Sequence, residues 1–107
     1  MLATRDDIDS SGLTVCIVGH VGDGNFHVSP MIDMENPAEV AAAKAFSERL
    51  VERALAMEGT CTGEHGVGQG KMKYLRAEHG EALTVMRAVK HALDPQGLMN
   101  PGKIVAF

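Results

Sequence analysis

Residues 13–32 read LTVCIVGHVGDGNFHVSPMI, and the fold class turns on this stretch. Leu13 to Val18 is a short apolar run rich in β-branched residues, the signature of a buried strand. Phe26 to Ile32 is a second strand candidate, with Pro30 pointing to an edge or a bulge. Asp23-Gly24 between them is a strong signal for a two-residue hairpin turn. Centred on that dipeptide, the hairpin sets Gly22 opposite Asn25, Val21 opposite Phe26 and His20 opposite His27. Directly opposed residues share a sheet face with Cβ atoms roughly 4.5–5.5 Å apart, so two imidazoles there can close on one cation. A slip of one residue would destroy the arrangement.

Downstream the pattern becomes helical. Asn36 is suited to N-cap a helix, Pro37 to its first position, and Glu39 completes a pattern like a capping box. Val40, Ala43, Phe46 or Ser47, Leu50, Ala54 and Met57 follow at helical spacing, and Gly59 is placed to end the run. The charges Glu48, Arg49, Glu52 and Arg53 read as a solvated face. Gly59 to Gly70 (GTCTGEHGVGQG) holds five of the 12 glycines and reads as a close-approach loop rather than an element. Met72 to His79 reads as a short helix stopped by Gly80. Glu81 to Leu93 is a clear helix with Leu83, Met86, Val89 or Lys90, and Leu93 inward. Asp94-Pro95 closes it, and a turn-rich tail follows. The order ββααα makes α+β the expected class, an antiparallel sheet with helices packed on one face.

Composition narrows the function. The chain has 107 residues, 45% of them apolar and 22% charged, which bounds it to one domain at most. Ten basic against 14 acidic residues give a net charge of −4, and only 4% of residues are aromatic. Both argue against nucleic acid as a partner. No stretch approaches the ~20 apolar residues of a transmembrane span, and the start lacks a signal-peptide core, so a cytoplasmic address is expected. Cys16 and Cys61 are read as two buried, reduced thiols.

The chemistry is sought among the 5 histidines and the glycine-rich loop. With His20 and His27 as a pair, Glu64 or Cys61 is the candidate third ligand. Phosphate-loop readings fail, because Gly70-Lys71 would need Gly and Ser or Thr where His65 and Met72 stand. Ser10 and Ser11 have no nucleophile-elbow context. His79 and His91 are given no role beyond the surface or capping.

Three motifs then carry a resemblance. His20-Val-Gly-Asp-Gly-Asn-Phe-His27, Gly63-Glu64-His65-Gly66-Val-Gly68 and Asp94-Pro-Gln-Gly97-Leu-Met-Asn100-Pro101-Gly102-Lys103-Ile104 together resemble the C-terminal domain of FAD-linked oxidases. That family includes D-lactate dehydrogenases, D-2-hydroxyglutarate dehydrogenases and the FAD-linked subunit of glycolate oxidase. The likeness runs from about Leu13 to Val105.

The resemblance implies a cap domain, with residues 13–107 its C-terminal portion, covering an FAD held by a separate domain that this chain lacks. Residues 1–12 are expected to be a disordered or appended start. His20, His27 and Glu64 are then the implied ligands of a divalent metal, zinc first. His65 is the implied catalytic base, Asn100 approaches the flavin, and Ser29 stands where some members place a substrate-contacting Asn. The implied reaction oxidises a small D-2-hydroxy acid to the 2-oxo acid with hydride transfer to FAD. The chain alone is expected to be inactive, and its exposed sheet edge to favour a homodimer. Membrane association could come only through a parent complex. Two other classes stay open: a stand-alone divalent-metal or metal-dependent hydrolytic module, and a structural interaction domain whose histidines are incidental.

Overall fold

A computed structural model describes residues 1–105. It contains helix α1 (Leu2–Ser11), strands β1 (Thr14–His20) and β2 (Asn25–Met31), and helices α2 (Pro37–Ala56), α3 (Leu75–His79) and α4 (Ala82–Leu93). The class is α+β, with β1 and β2 forming an antiparallel two-stranded sheet.

The first twelve residues correct an expectation, since Leu2–Ser11 is helical rather than unstructured. Its sequence LATRDDIDSS has no apolar stripe to announce it. What holds it is a distant partner: Asp7 accepts from Arg49 Nη2 at 2.7 Å and from Arg53 Nη2 at 2.8 Å, both on α2. Arg53 Nη1 also donates to Thr4 Oγ1, and Thr4 is buried. The hydrogen bond from Arg49 leads the effects that hold the Asp7 carboxyl below its ordinary range; burial opposes it, and Arg53 adds to the lowering. Gly12 then ends α1 in the left-handed conformation, φ 69°. Arg49 and Arg53, read as part of a solvated face, are therefore tertiary anchors. Glu48 likewise ion-pairs with Lys73 beyond the glycine-rich loop.

Helix α2 starts as its sequence requires. Asn36 Oδ1 accepts from the Ala38 N–H at 3.1 Å, while the Glu39 carboxylate accepts from the Asp33 N–H and from Asn36 Nδ2. Its end lies earlier than Gly59: the helix stops at Ala56, and Glu58 takes the left-handed turn at φ 59°. Val51 of α2, Cys61, Leu75 of α3, Leu83 of α4 and Val105 form the core. Met57 and Leu93, expected inward, are exposed instead, and of Val89 or Lys90 it is Lys90 that is half-buried while Val89 is exposed. The two cysteines also differ from expectation, for Cys61 is buried but Cys16 is exposed on β1, and both are free.

The hairpin register decides where the site residues stand. Residues 21–24 make the turn, a 3₁₀ turn over Val21–Asp23 followed by Gly24 at φ 70°, whose N–H donates to Val21 O. This four-residue closure shifts the pairing two places from the predicted one: His20 faces Asn25, and His27 faces Val18. Alternation survives a shift of two. Asn25, His27 and Ser29 therefore share a face with His20, Val18 and Cys16. Val28 and Pro30 on the other face border an apolar groove with Val40, Phe46 and Leu50 of α2.

The chain is more open than its length demands. Its Cα radius of gyration is 16.1 Å, against about 13 Å for a compact 100-residue domain. Leu2, Met34, Val85, Leu93 and Leu98 lie exposed among its apolar side chains.

Candidate active site

The glycine-rich stretch 59–70 leaves α2, crosses to β2 and returns to α3 without regular structure. It is tied down at four places. The Cys61 N–H donates to Glu78 Oε2 of α3 at 2.9 Å, and Thr62 Oγ1 closes the loop onto Gly66 O. The Ile104 N–H of the tail donates to Gly68 O at 2.8 Å. The fourth tie is polar and lies at the site: Asn25 Nδ2 donates to Glu64 Oε2.

These ties bring Glu64 and His65 against β2. His27 Nε2 lies 3.3 Å from Glu64 Oε1, and His65 Nε2 lies 3.5 Å from the same oxygen. The two imidazole centroids are 5.0 Å apart with the rings tilted by 55°. One ligand-type atom from each of His27, Glu64 and His65 falls within 4.8 Å of the others. Two imidazoles and one carboxylate are the donor set of zinc and similar divalent ions, so these residues fit a metal. Partial desolvation acts to raise the Glu64 carboxyl. The His27 hydrogen bond and the nearby charges of His27, His20 and His65 outweigh it and hold the group below its ordinary value.

His20 stands at the end of β1, exposed, on the same sheet face as His27 but diagonal to it rather than opposite. It acts on Glu64 through its charge and lies outside the 4.8 Å group. Ser29 lines the same cavity of about 880 Å³ as His27, Glu64, His65 and Lys71. Asn100 is not on that cavity wall; it sits in the tail with φ 47°.

Two contributors were not singled out from the sequence. Asn25 signals nothing by itself beyond a turn residue, because its partner is 39 positions away. Asp94 reads as a helix terminator, yet it organises the tail. Its oxygens accept from the N–H groups of Leu98 and Met99, each at 2.9 Å, and from Lys90 Nζ. The Lys90 contact leads the effects that hold its carboxyl below the usual range, with the backbone N–H groups adding to it. Cys61, the alternative to Glu64 as a ligand in the sequence, is a core side chain instead. Burial, reinforced by Glu78, pushes its thiol up to about 11.

Residues 2–104 match the family described as FAD linked oxidases, C-terminal domain. The chain belongs to that family. Among curated relatives, the chain is 51% identical over 106 residues to "Probable D-lactate dehydrogenase, mitochondrial" of Danio rerio, covering 98% of this chain and 21% of that protein. It is 51% identical over 102 residues to "D-lactate dehydrogenase (cytochrome) 1, mitochondrial" of Saccharomyces cerevisiae, covering 94% of this chain and 17% of that one. "Glycolate oxidase subunit GlcD" of Bacillus subtilis is 39% identical over 105 residues, covering 97% of this chain and 22% of that subunit. This FAD-linked oxidase domain thus spans about a fifth of the length of the relatives it matches. Among its described residues, no helix is long and apolar enough to cross a membrane.

Proposed function

We propose that this chain is the substrate- and metal-handling part of an FAD-dependent enzyme that oxidises a small D-2-hydroxy acid, of lactate or glycolate type, to the 2-oxo acid. The observation that carries the reading is the grouping of His27, Glu64 and His65 on one cavity wall. The names of the relatives supply the substrate class. FAD, when bound, supplies the hydride acceptor, and a divalent ion, zinc first, supplies Lewis-acid polarisation of the hydroxyl.

The chain's own residues have these parts. His27 and Glu64 would hold the cation, with His20, on the same sheet face, as the third ligand. His65 takes the hydroxyl proton on its imidazole as the α-hydride leaves the substrate carbon. Ser29 borders the substrate, and Asn100 reaches the flavin side through the tail. A second reading has its own support: the 4.8 Å group favours His65 over His20 as the third ligand.

The exposed apolar side chains are the surfaces on which an FAD-holding domain would seat. Among the described residues no third strand pairs with β1 or β2, which extends the proposal to a homodimer through an outer edge, and light scattering on the purified protein tests it. An aqueous, cytoplasmic location belongs to the same proposal, and cell fractionation tests that. The chain by itself is expected to be inactive. The central experiment is anaerobic mixing of the FAD-loaded enzyme with D-lactate or glycolate while flavin absorbance is followed. Bleaching supports the reading; a flavin that stays oxidised with every 2-hydroxy acid tried overturns it.

A further inference from the structure

Glu64 sits on an irregular loop with its side chain 45% exposed, where a carboxylate left to itself samples many rotamers. One of its oxygens is nevertheless engaged. Asn25 Nδ2 donates to Oε2, while Oε1 is the oxygen that faces His27 and His65. The amide thus holds one end of the carboxylate and leaves the other directed into the group of potential ligands. Asn25 can do this because it is the first residue of β2, paired in register with His20, so its backbone is fixed by the sheet.

Gly63 supplies the second observation. A Cβ there would overlap Asn25 Oδ1 and come within 3.1 Å of Asn25 Cγ. Gly63 is not among the glycines with positive φ, so no left-handed backbone calls for glycine at this position. Space does: a Cβ at 63 requires the Asn25 amide, the end of a flexible side chain, to shift, and that amide is the group that holds Glu64.

We propose that Asn25 is a positioning residue that aims Glu64 at the cation, and that Gly63 is glycine because the Asn25 amide occupies the place of its side chain. The inference rests on the reading of Glu64 as a metal ligand. Groups that orient a ligand without touching the metal typically govern 10–100-fold in affinity.

The test measures Zn²⁺ affinity by competition with a chromophoric chelator and the visible spectrum of bound Co²⁺. The proteins are the wild type, Asn25→Ala, Gly63→Ala and the double variant, with circular dichroism to follow the fold. Each single variant is expected to bind Zn²⁺ about 10–100-fold more weakly, with altered Co²⁺ bands and an unchanged far-ultraviolet spectrum. The double variant should be no weaker than the worse single one, because both changes break the same tie. Wild-type affinity in Asn25→Ala, or losses that multiply in the double variant, would overturn the proposal. A wild-type protein that takes up no Zn²⁺ overturns the metal reading itself, a result distinct from any pattern among the variants.

Discussion

His27 Nε2 and Glu64 Oε1 stand 3.3 Å apart although 37 positions separate them in the chain. The contact joins the hairpin to the glycine-rich loop, and in the proposed metal site both residues would be ligands. His27→Ala and Glu64→Gln should each abolish Zn²⁺ uptake, read by metal analysis after dialysis. His20→Ala and His65→Ala then separate the two ligand sets. If His20 is the third ligand, His20→Ala loses metal, whereas His65→Ala keeps it and slows flavin reduction in the loaded enzyme by roughly 10²–10⁴-fold. The reverse pattern of metal loss would make His65 the ligand.

How much of this was legible depends on distance along the chain. The start of α2 could be read from Asn36, Pro37 and Glu39 because every partner lies within six residues. The hairpin could be read as well, but not its register: Asp23-Gly24 advertises a two-residue turn, whereas Gly24 serves equally as the left-handed end of a 3₁₀ turn. Helix α1 was illegible because Arg49 and Arg53, which hold it, lie more than 40 positions away. The pairing of Asn25 with Glu64 was hidden for the same reason. Motif resemblance points to His20, His27, Glu64 and His65, of which the structure groups the last three within 4.8 Å and leaves His20 outside, and it carries no information about how the loop reaches the strand.

The two thiols should differ sharply in reactivity. Cys16 is exposed, whereas Cys61 is buried with its thiol raised to about 11, so little of it is the nucleophilic thiolate at mildly alkaline pH. Ellman's reagent should titrate one thiol rapidly in the native protein and the second only after denaturant is added. Rapid reaction of both would contradict the packing of Cys61 against Val51 and Leu75.

The core should be sensitive where it is sealed. Leu75 is 3% exposed and Leu98 is 73% exposed. Leu75→Ala is expected to cost about 2–5 kcal/mol in chemical denaturation. Leu98→Ala should stay within about 0.5 kcal/mol, as surface changes usually do. Equal costs would mean that α3 does not close the core as described.

Asp7 sets a dependence of stability on acid. Its folded pKa lies below its unfolded value, chiefly through the Arg49 hydrogen bond, with Arg53 adding to it. A depressed carboxylate stabilises the fold fully above its unfolded pKa, and that contribution is lost as pH falls through the folded one. Asp7→Asn should therefore melt at a lower temperature than wild type at neutral pH, with the gap closing at pH values below the ordinary carboxylate range. A gap that persists unchanged in strong acid would assign the effect to packing at Thr4 instead.

The tail is organised at Asp94 as well as at its core residue Val105. Asp94 gathers the N–H groups of Leu98 and Met99 and the Lys90 ammonium, and beyond it the Ile104 N–H reaches Gly68 O in the glycine-rich loop. Removing the carboxylate leaves the N–H groups of Leu98 and Met99 to water, while Lys90 Nζ keeps its bond to Met99 O, and loosens the segment that carries Asn100. Asp94→Ala should speed amide exchange at Leu98, Met99 and Ile104 while leaving α2 protected, as measured by hydrogen–deuterium exchange. Gly68 is three residues from His65, so a loosened tail should also loosen the loop that presents the imidazole. If the proposed function holds, the same variant should then slow flavin reduction in the FAD-loaded enzyme. Fast exchange confined to Leu98 and Met99, with Ile104 still protected, would show that the tail is anchored by Val105 in the core rather than by Asp94.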